Sequence, residues 1–181
     1  MNKRWKPPFE KEKLARLFIV AIYDEENQFR IEKFKEKFQN FFGKIDFELN
    51  IRPLLAIPSN YISNKEYGIF HLFSFERPIS REEIVDIKYK VLKLENHYQK
   101  EGFPIIELDV GYVTEIQAIR TTISEDIHRI YLYKKIYSET LYFFDKNTYK
   151  PFIHTPKFYR SPDIITLFND LRLIYVSNIP Q

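Results

Sequence analysis

Leu17-Phe18-Ile19-Val20-Ala21-Ile22-Tyr23 is an unbroken apolar run of strand length. It lacks the polar alternation of a strand wet on one face, so it predicts a central strand covered on both faces by other layers. After Tyr23 the period changes. Asp24 stands where a helix cap belongs, and Phe29, Ile31, Phe34, Phe38, Phe41 and Phe42 recur at helical spacing with Lys and Glu between them. Gly43 offers the stop, and Ile45–Leu49 alternates like a strand. The chain therefore opens β-α-β, a ferredoxin-like start.

Residues 50–67 carry Pro53, Pro58, Asn60 and Asn64 and read as a long connection, the kind that more often serves function than idles. A strand at 68–75 precedes the best-written helix start in the chain. Ser80 and Glu83 have the spacing of a capping box, and Ile79 and Ile84 that of a hydrophobic staple. Ile84, Ile87, Val91, Leu94 and Tyr98 then share a face, with Gly102 after the helix. Next come a strand at 104–110, a helical turn at 114–119, strands at 128–133 and 136–144 and a return strand near Tyr149. Ser161-Pro162 opens a last helix with Ile164, Ile165, Phe168, Leu171 and Ile174 on its apolar face. The pattern predicts a flexible basic arm over 1–13 (MNKRWKPPFEKEK) and a single α+β domain over 14–181, mainly antiparallel, with about three helices.

Composition removes several function classes. The chain has no cysteine, which excludes disulfides, iron–sulfur clusters, thiolate zinc sites and cysteine nucleophiles. With 28 basic residues against 25 acidic ones, the charge is too even to imply a nucleic-acid partner. No segment has the apolar length of a signal peptide or membrane span, so the expectation is a cytoplasmic protein. The four histidines, His71, His97, His128 and His154, have no metal-ligand spacing, and no metal is expected. His71-Leu72-Phe73-Ser74 misses the His-x-Ser/Thr pattern of two-histidine phosphoesterases by one residue, which turns the serine to the opposite face. A nucleophile elbow, a Rossmann glycine fingerprint and the basic-glycine-aromatic signature of sheet-type RNA readers are also missing.

Charged residues gather in the second half. Asp109-Val110-Gly111-Tyr112 sits at a strand end, where the glycine permits a sharp turn that aims Asp109 and Tyr112 into a cleft. Arg120, Thr121 and Thr122 lie upstream of His128-Arg129. Arg offers a planar fork for carboxylate or phosphate, His exchanges a proton near neutral pH, and the hydroxyls complete an anion site. Glu139 on the next strand can pair with Arg129 or Arg120, and Tyr159-Arg160 can close over an anion at the last helix's N-terminus. The competing reading makes 128–133 the wet arm of a hairpin, with Ile130 and Leu132 facing the core and Arg129, Tyr131 and Tyr133 facing away.

LFIVAIY, NYISNKEYG, FSFERPI, IKYKVLKLE, LDVGYVT, HRIYLYKKIYSETLYF and TPKFYRSPD occur in that order across nearly the whole chain. Together these blocks resemble a small bacterial family catalogued as domain of unknown function 4416. The chain departs from that family's pattern at Val110, where a proline is usual, and near Ile123, where a lysine is usual; a phosphate role for that lysine is not carried over. The resemblance implies no established activity. Some members carry a GTP-binding label, but glycines only at 43, 68, 102 and 111 cannot form a phosphate-binding P-loop.

The residues thus predict a small anionic ligand, a nucleotide or phosphorylated metabolite, in a pocket of Asp109, Tyr112, Arg120, His128, Arg129 and Glu139, with Arg160 nearby. No cofactor is specified. His128 with Asp109 or Glu139 would be the acid–base pair of any reaction. The alternative is a non-enzymatic interaction module whose aromatic surface and basic arm meet a protein or RNA.

Overall fold

The apolar run becomes β1 (Arg16–Tyr23), buried along its whole length. Its coverage comes from both sides. In this computed structural model, which describes residues 14–57 and 68–178, β1 lies between β3 (Ile69–Phe75) and β6 (Glu107–Val113), antiparallel to both. The 1–13 arm and residues 58–67 of the long connection lie outside the described residues.

Leu17, Ile19, Ala21 and Tyr23 point to one face. There they pack against Ile31, Phe34, Phe38 and Phe42 of α1 (Ile31–Phe42) and Ile84, Ile87, Val91 and Leu94 of α2 (Ile84–His97). Phe18, Val20 and Ile22 point to the other, against Ile164, Leu167, Phe168 and Leu171 of α3 (Pro162–Ser177). Alternation along one strand thus feeds two cores. Phe29 and Phe41, expected on the helix's apolar face, are not in the core: Phe41 is about half exposed, and the largely exposed Phe29 sits in a tight 3-10 turn over Glu25–Arg30, whose different period takes it off that face.

Among the described residues the sheet has eight strands, all antiparallel. Its order is β10 (Thr148–Pro151), β9 (Ile136–Asp145), β7 (Gln117–Thr122), β6, β1, β3 and β2 (Ile45–Ile51), and β8 (Ile130–Tyr133) also pairs with β9. β1, α1 and β2 succeed one another as the sequence predicts, with β3 lying between the two strands. A separate hairpin, β4 (Gln99–Lys100) with β5 (Phe103–Pro104), turns through Glu101 and Gly102, both at positive φ.

The capping box at Ser80 and Glu83 is formed, and Ile79 and Ile84 are both buried. α2 then secures the end of β6. Beyond the Val110–Thr121 pair, β7 no longer supplies partners, and Leu108 is served by helix side chains instead. Its N–H donates to Glu95 at 2.6 Å and its carbonyl accepts from Lys88 at 3.1 Å. Burial pushes the Glu95 carboxyl up to about 7, against the pull of Lys88 and the Leu108 amide.

Two local expectations are corrected. Residues 114–119 do not form a helical turn: Thr114 bonds Gln117 through both backbone and side chain, and the chain enters β7. Gly111 is not in a sharp turn but inside β6. A Cβ there would meet the Ile119 carbonyl oxygen at 2.0 Å and the Phe18 ring at 2.4 Å, so glycine is required by close approach.

Candidate functional site

Register brings the predicted residues together. Gly111 is opposite Arg120 across β6 and β7, Arg120 is opposite Glu139 across β7 and β9, and Asp109 lies two residues along the same face as Gly111. Ile130 pairs with Ser138, which sets Arg129 beside Glu139. β6, β7, β9 and the segment leading into β8 therefore bring side chains into one cluster around a buried carboxylate.

Glu139 is that centre, and its carboxylate is fully buried. Its Oε2 accepts from Arg120 Nη2 at 3.1 Å and from Arg129 Nε at 3.0 Å. Arg120 Nη1 donates to Asp109 Oδ2 at 3.1 Å, and the same oxygen accepts the Tyr159 hydroxyl at 2.8 Å. Burial alone would lower the Arg120 pKa, but Asp109, Tyr159 and Glu139 outweigh it and raise it. Tyr159 is held protonated by burial first and by Asp109 second.

The outer side of the cluster is different. His128 Nε2 faces Glu139 Oε1 at 3.7 Å, beyond hydrogen-bond reach, and His128 Nδ1 lies 3.6 Å from Asp126. His128 stacks on His154 at 4.4 Å, and His154 Nε2 is 3.0 Å from the Thr140 carbonyl. Arg129 Nη1 donates to the carbonyl of Ser124 at 3.0 Å and also to its hydroxyl. Three buried atoms of the cluster have no hydrogen-bond partner among the described residues: His128 Nε2, Glu139 Oε1 and Arg120 Nε.

Asp109, Arg120, His128, Arg129 and Glu139 therefore converge. Tyr112 and Arg160 do not. Tyr112 has the opposite parity on β6 and packs into the core under α1 and α2. Arg160 is exposed, and the start of α3 is already served by Asp163, whose carboxylate accepts from Ser161, the Ile164 amide and the Leu54 amide. That carboxylate occupies the helix terminus where the sequence predicts an anion. Thr121 and Thr122 also stay apart, bonding the Val110 carbonyl and Ser124 respectively. The core-facing assignment of Ile130 and Leu132 fails, since all four side chains of β8 are exposed.

Two participants escape the residue pattern. The sequence pairs Tyr159 with Arg160 as a closing group, whereas Tyr159 reaches Asp109 from below the sheet. His154 gives no spacing signal, because only folding of the 152–156 loop against β9 brings it to His128. The five converging residues also do not line the open cleft of about 310 Å³ on the opposite sheet edge, which is formed by Lys35, Gln39, Ile45, Asp46, Phe47 and Glu48.

A family model described as Domain of unknown function (DUF4416) matches residues 13–175. The chain belongs to this family. The DUF4416 match spans every residue of the cluster, from Asp109 to Tyr159. No curated protein and no solved structure matches the chain. Among the described residues, no helix is long and apolar enough to cross a membrane, and no group of three His, Asp or Glu side chains is arranged to hold a metal ion.

Proposed function

We propose that this DUF4416 protein binds a small anionic ligand, a nucleotide or phosphorylated metabolite, at the rim formed by Arg129, His128 and His154. The observation that carries the reading is the way Arg129 is held. Glu139 fixes its Nε and Ser124 its Nη1, while Nη2 has no protein acceptor among the described residues. A guanidinium gripped on one side and open on the other is preorganised to receive an anion. Arg120, by contrast, spends both terminal nitrogens on Glu139 and Asp109, so it positions Glu139 rather than contacting ligand. The two guanidinium charges balance the two carboxylates, leaving the stacked imidazoles to supply further donors toward a phosphate.

The test is thermal unfolding of the protein with inorganic phosphate and a series of ribonucleotides. The wild type should gain stability with at least one of them. Arg129→Lys, which keeps the charge beside Glu139 but loses the planar fork, and His128→Ala should each lose that gain while still folding. No response in the wild type, or an equal response in both variants, overturns the reading.

A further inference from the structure

The edge strands of the sheet are built differently: β2 closes one end, and β10 and β8 both lie along β9 at the other. At one end β2 interposes charge: Asp46 is paired with Arg16, and Glu48 with Lys35 and His71. Inward-reaching charge of this kind is a usual protection of an edge strand. At the other end β8 has none. Ile130, Tyr131, Leu132 and Tyr133 are all exposed, Ile127 just before them is wholly exposed and Ile123 is 60% exposed. β8 pairs with β9 alone, so its outer backbone meets no strand among the described residues.

The turn that leads out of the strand is anchored to the neighbouring helix. This two-residue turn into β9 places Lys134 and Lys135 both at positive φ, where glycine or asparagine is the usual choice. Both lysines carry the conformational cost of a backbone region that residues with a Cβ rarely enter. The turn is fastened to α2, because the Lys134 carbonyl accepts the Tyr89 hydroxyl and its ammonium lies 3.9 Å from Asp86. An apolar edge kept in place at a conformational cost has a use.

Charge identifies what meets it. Exposed Glu125 and Asp126 lie at one end of the apolar stretch, and exposed Lys134 and Lys135 at the other. Laid antiparallel against a copy of itself, the segment sets acid against base at both ends and apolar against apolar between. A two-fold arrangement demands this self-complementarity of a single patch. We propose that β8 is the self-association edge of this chain: two copies pair antiparallel along Ile130–Tyr133, with the Glu125–Asp126 end of each copy meeting the Lys134–Lys135 end of the other. This rests on the edge alone and not on the anion-binding reading.

Sedimentation velocity across a concentration series tests it. The wild type should be a dimer that dissociates on dilution. Ile130→Lys with Leu132→Lys should be monomeric, with the thermal midpoint of the dilute, dissociated wild type, since neither side chain is in the core. Glu125→Lys and Lys135→Glu should each weaken the dimer about tenfold or more, because like charges then meet at both ends. Mixed in equal amounts, those two variants should recover it, as each end of the mixed pair is again acid against base. A wild type monomeric throughout, a dimer indifferent to the double lysine variant, or charge variants that stay dissociated on mixing would each overturn the proposal.

Discussion

Two buried polar networks sit at opposite ends of the same sheet, and they are finished to different degrees. In the first, the Tyr23 hydroxyl meets His71 Nδ1 at 2.8 Å, His71 Nε2 lies 3.0 Å from Glu48 Oε1, and Glu48 Oε2 binds Lys35 at 3.0 Å. Every polar atom of the buried imidazole has a partner. In the second, around Glu139, the arginines are anchored but His128 Nε2, Glu139 Oε1 and Arg120 Nε are left without one among the described residues. A buried polar group without a partner costs free energy, so its retention asks for a reason beyond folding. The comparison separates a network whose buried imidazole is fully paired from one in which three buried atoms have no partner among the described residues.

Removing the two carboxylates is the sharpest way to break that comparison. Glu139→Ala takes the shared carboxylate from two largely buried guanidinium groups and should cost about 3–5 kcal/mol in urea unfolding. Glu48→Ala should cost only about 1 kcal/mol, because Glu48 is partly exposed and water can replace it at His71 and Lys35. Equal losses would mean that the two ends are energetically alike and that the unpartnered atoms carry no special significance.

Stability against pH sharpens the picture next, because two buried groups respond with opposite signs. Glu95, raised from 4.5 to about 7, contributes stability that is full below the lower value and is lost as pH rises through the higher one. Glu95→Gln should therefore gain on the wild type by up to about 3 kcal/mol between about pH 5 and pH 8. His71 is lowered from 6.5, first by burial, with Glu48 opposing. Its contribution is present above 6.5 and is lost as pH falls below that value, so His71→Phe should flatten the acid side of the profile. Urea titrations at both ends of the pH range measure the two slopes separately, and an unaltered acid limb in the His71 variant would mean that the Tyr23–His71–Glu48 relay does not report on protonation.

The sequence disclosed the fold where one residue type carries one meaning. The unbroken apolar run Leu17–Tyr23 announces two covered faces, and Ser80 with Glu83 writes out its own helix cap. The cluster was legible because Asp109, Arg120 and Glu139 share strand parity once the register is right, and because His128-Arg129 adjoins a strand. Tyr112 failed on that same parity. It lies three residues from Asp109, an odd step that sends it through the sheet to the other core. His154 and the exposure of β8 were not legible, since each depends on what lies beside β9 rather than on the pattern of its own segment. Ile130 and Leu132 alternate as core residues do, yet no layer among the described residues receives them.

Tyr159 and Arg160 give the finest division between the cluster and its surroundings, being adjacent in the chain and opposite in placement. Tyr159 is wholly buried, donates to Asp109 and has the Arg120 guanidinium 5.7 Å from its ring centre. Tyr159→Phe removes one hydrogen bond while Asp109 keeps Arg120, so it should cost about 1 kcal/mol. Arg160 lies outside the cluster, and Arg160→Ala should change stability by less than about 0.5 kcal/mol. It should also leave any phosphate-induced thermal shift intact. A variant at Arg160 that abolished that shift would move the anion site to the start of α3, past the carboxylate of Asp163, and away from the rim of Arg129, His128 and His154.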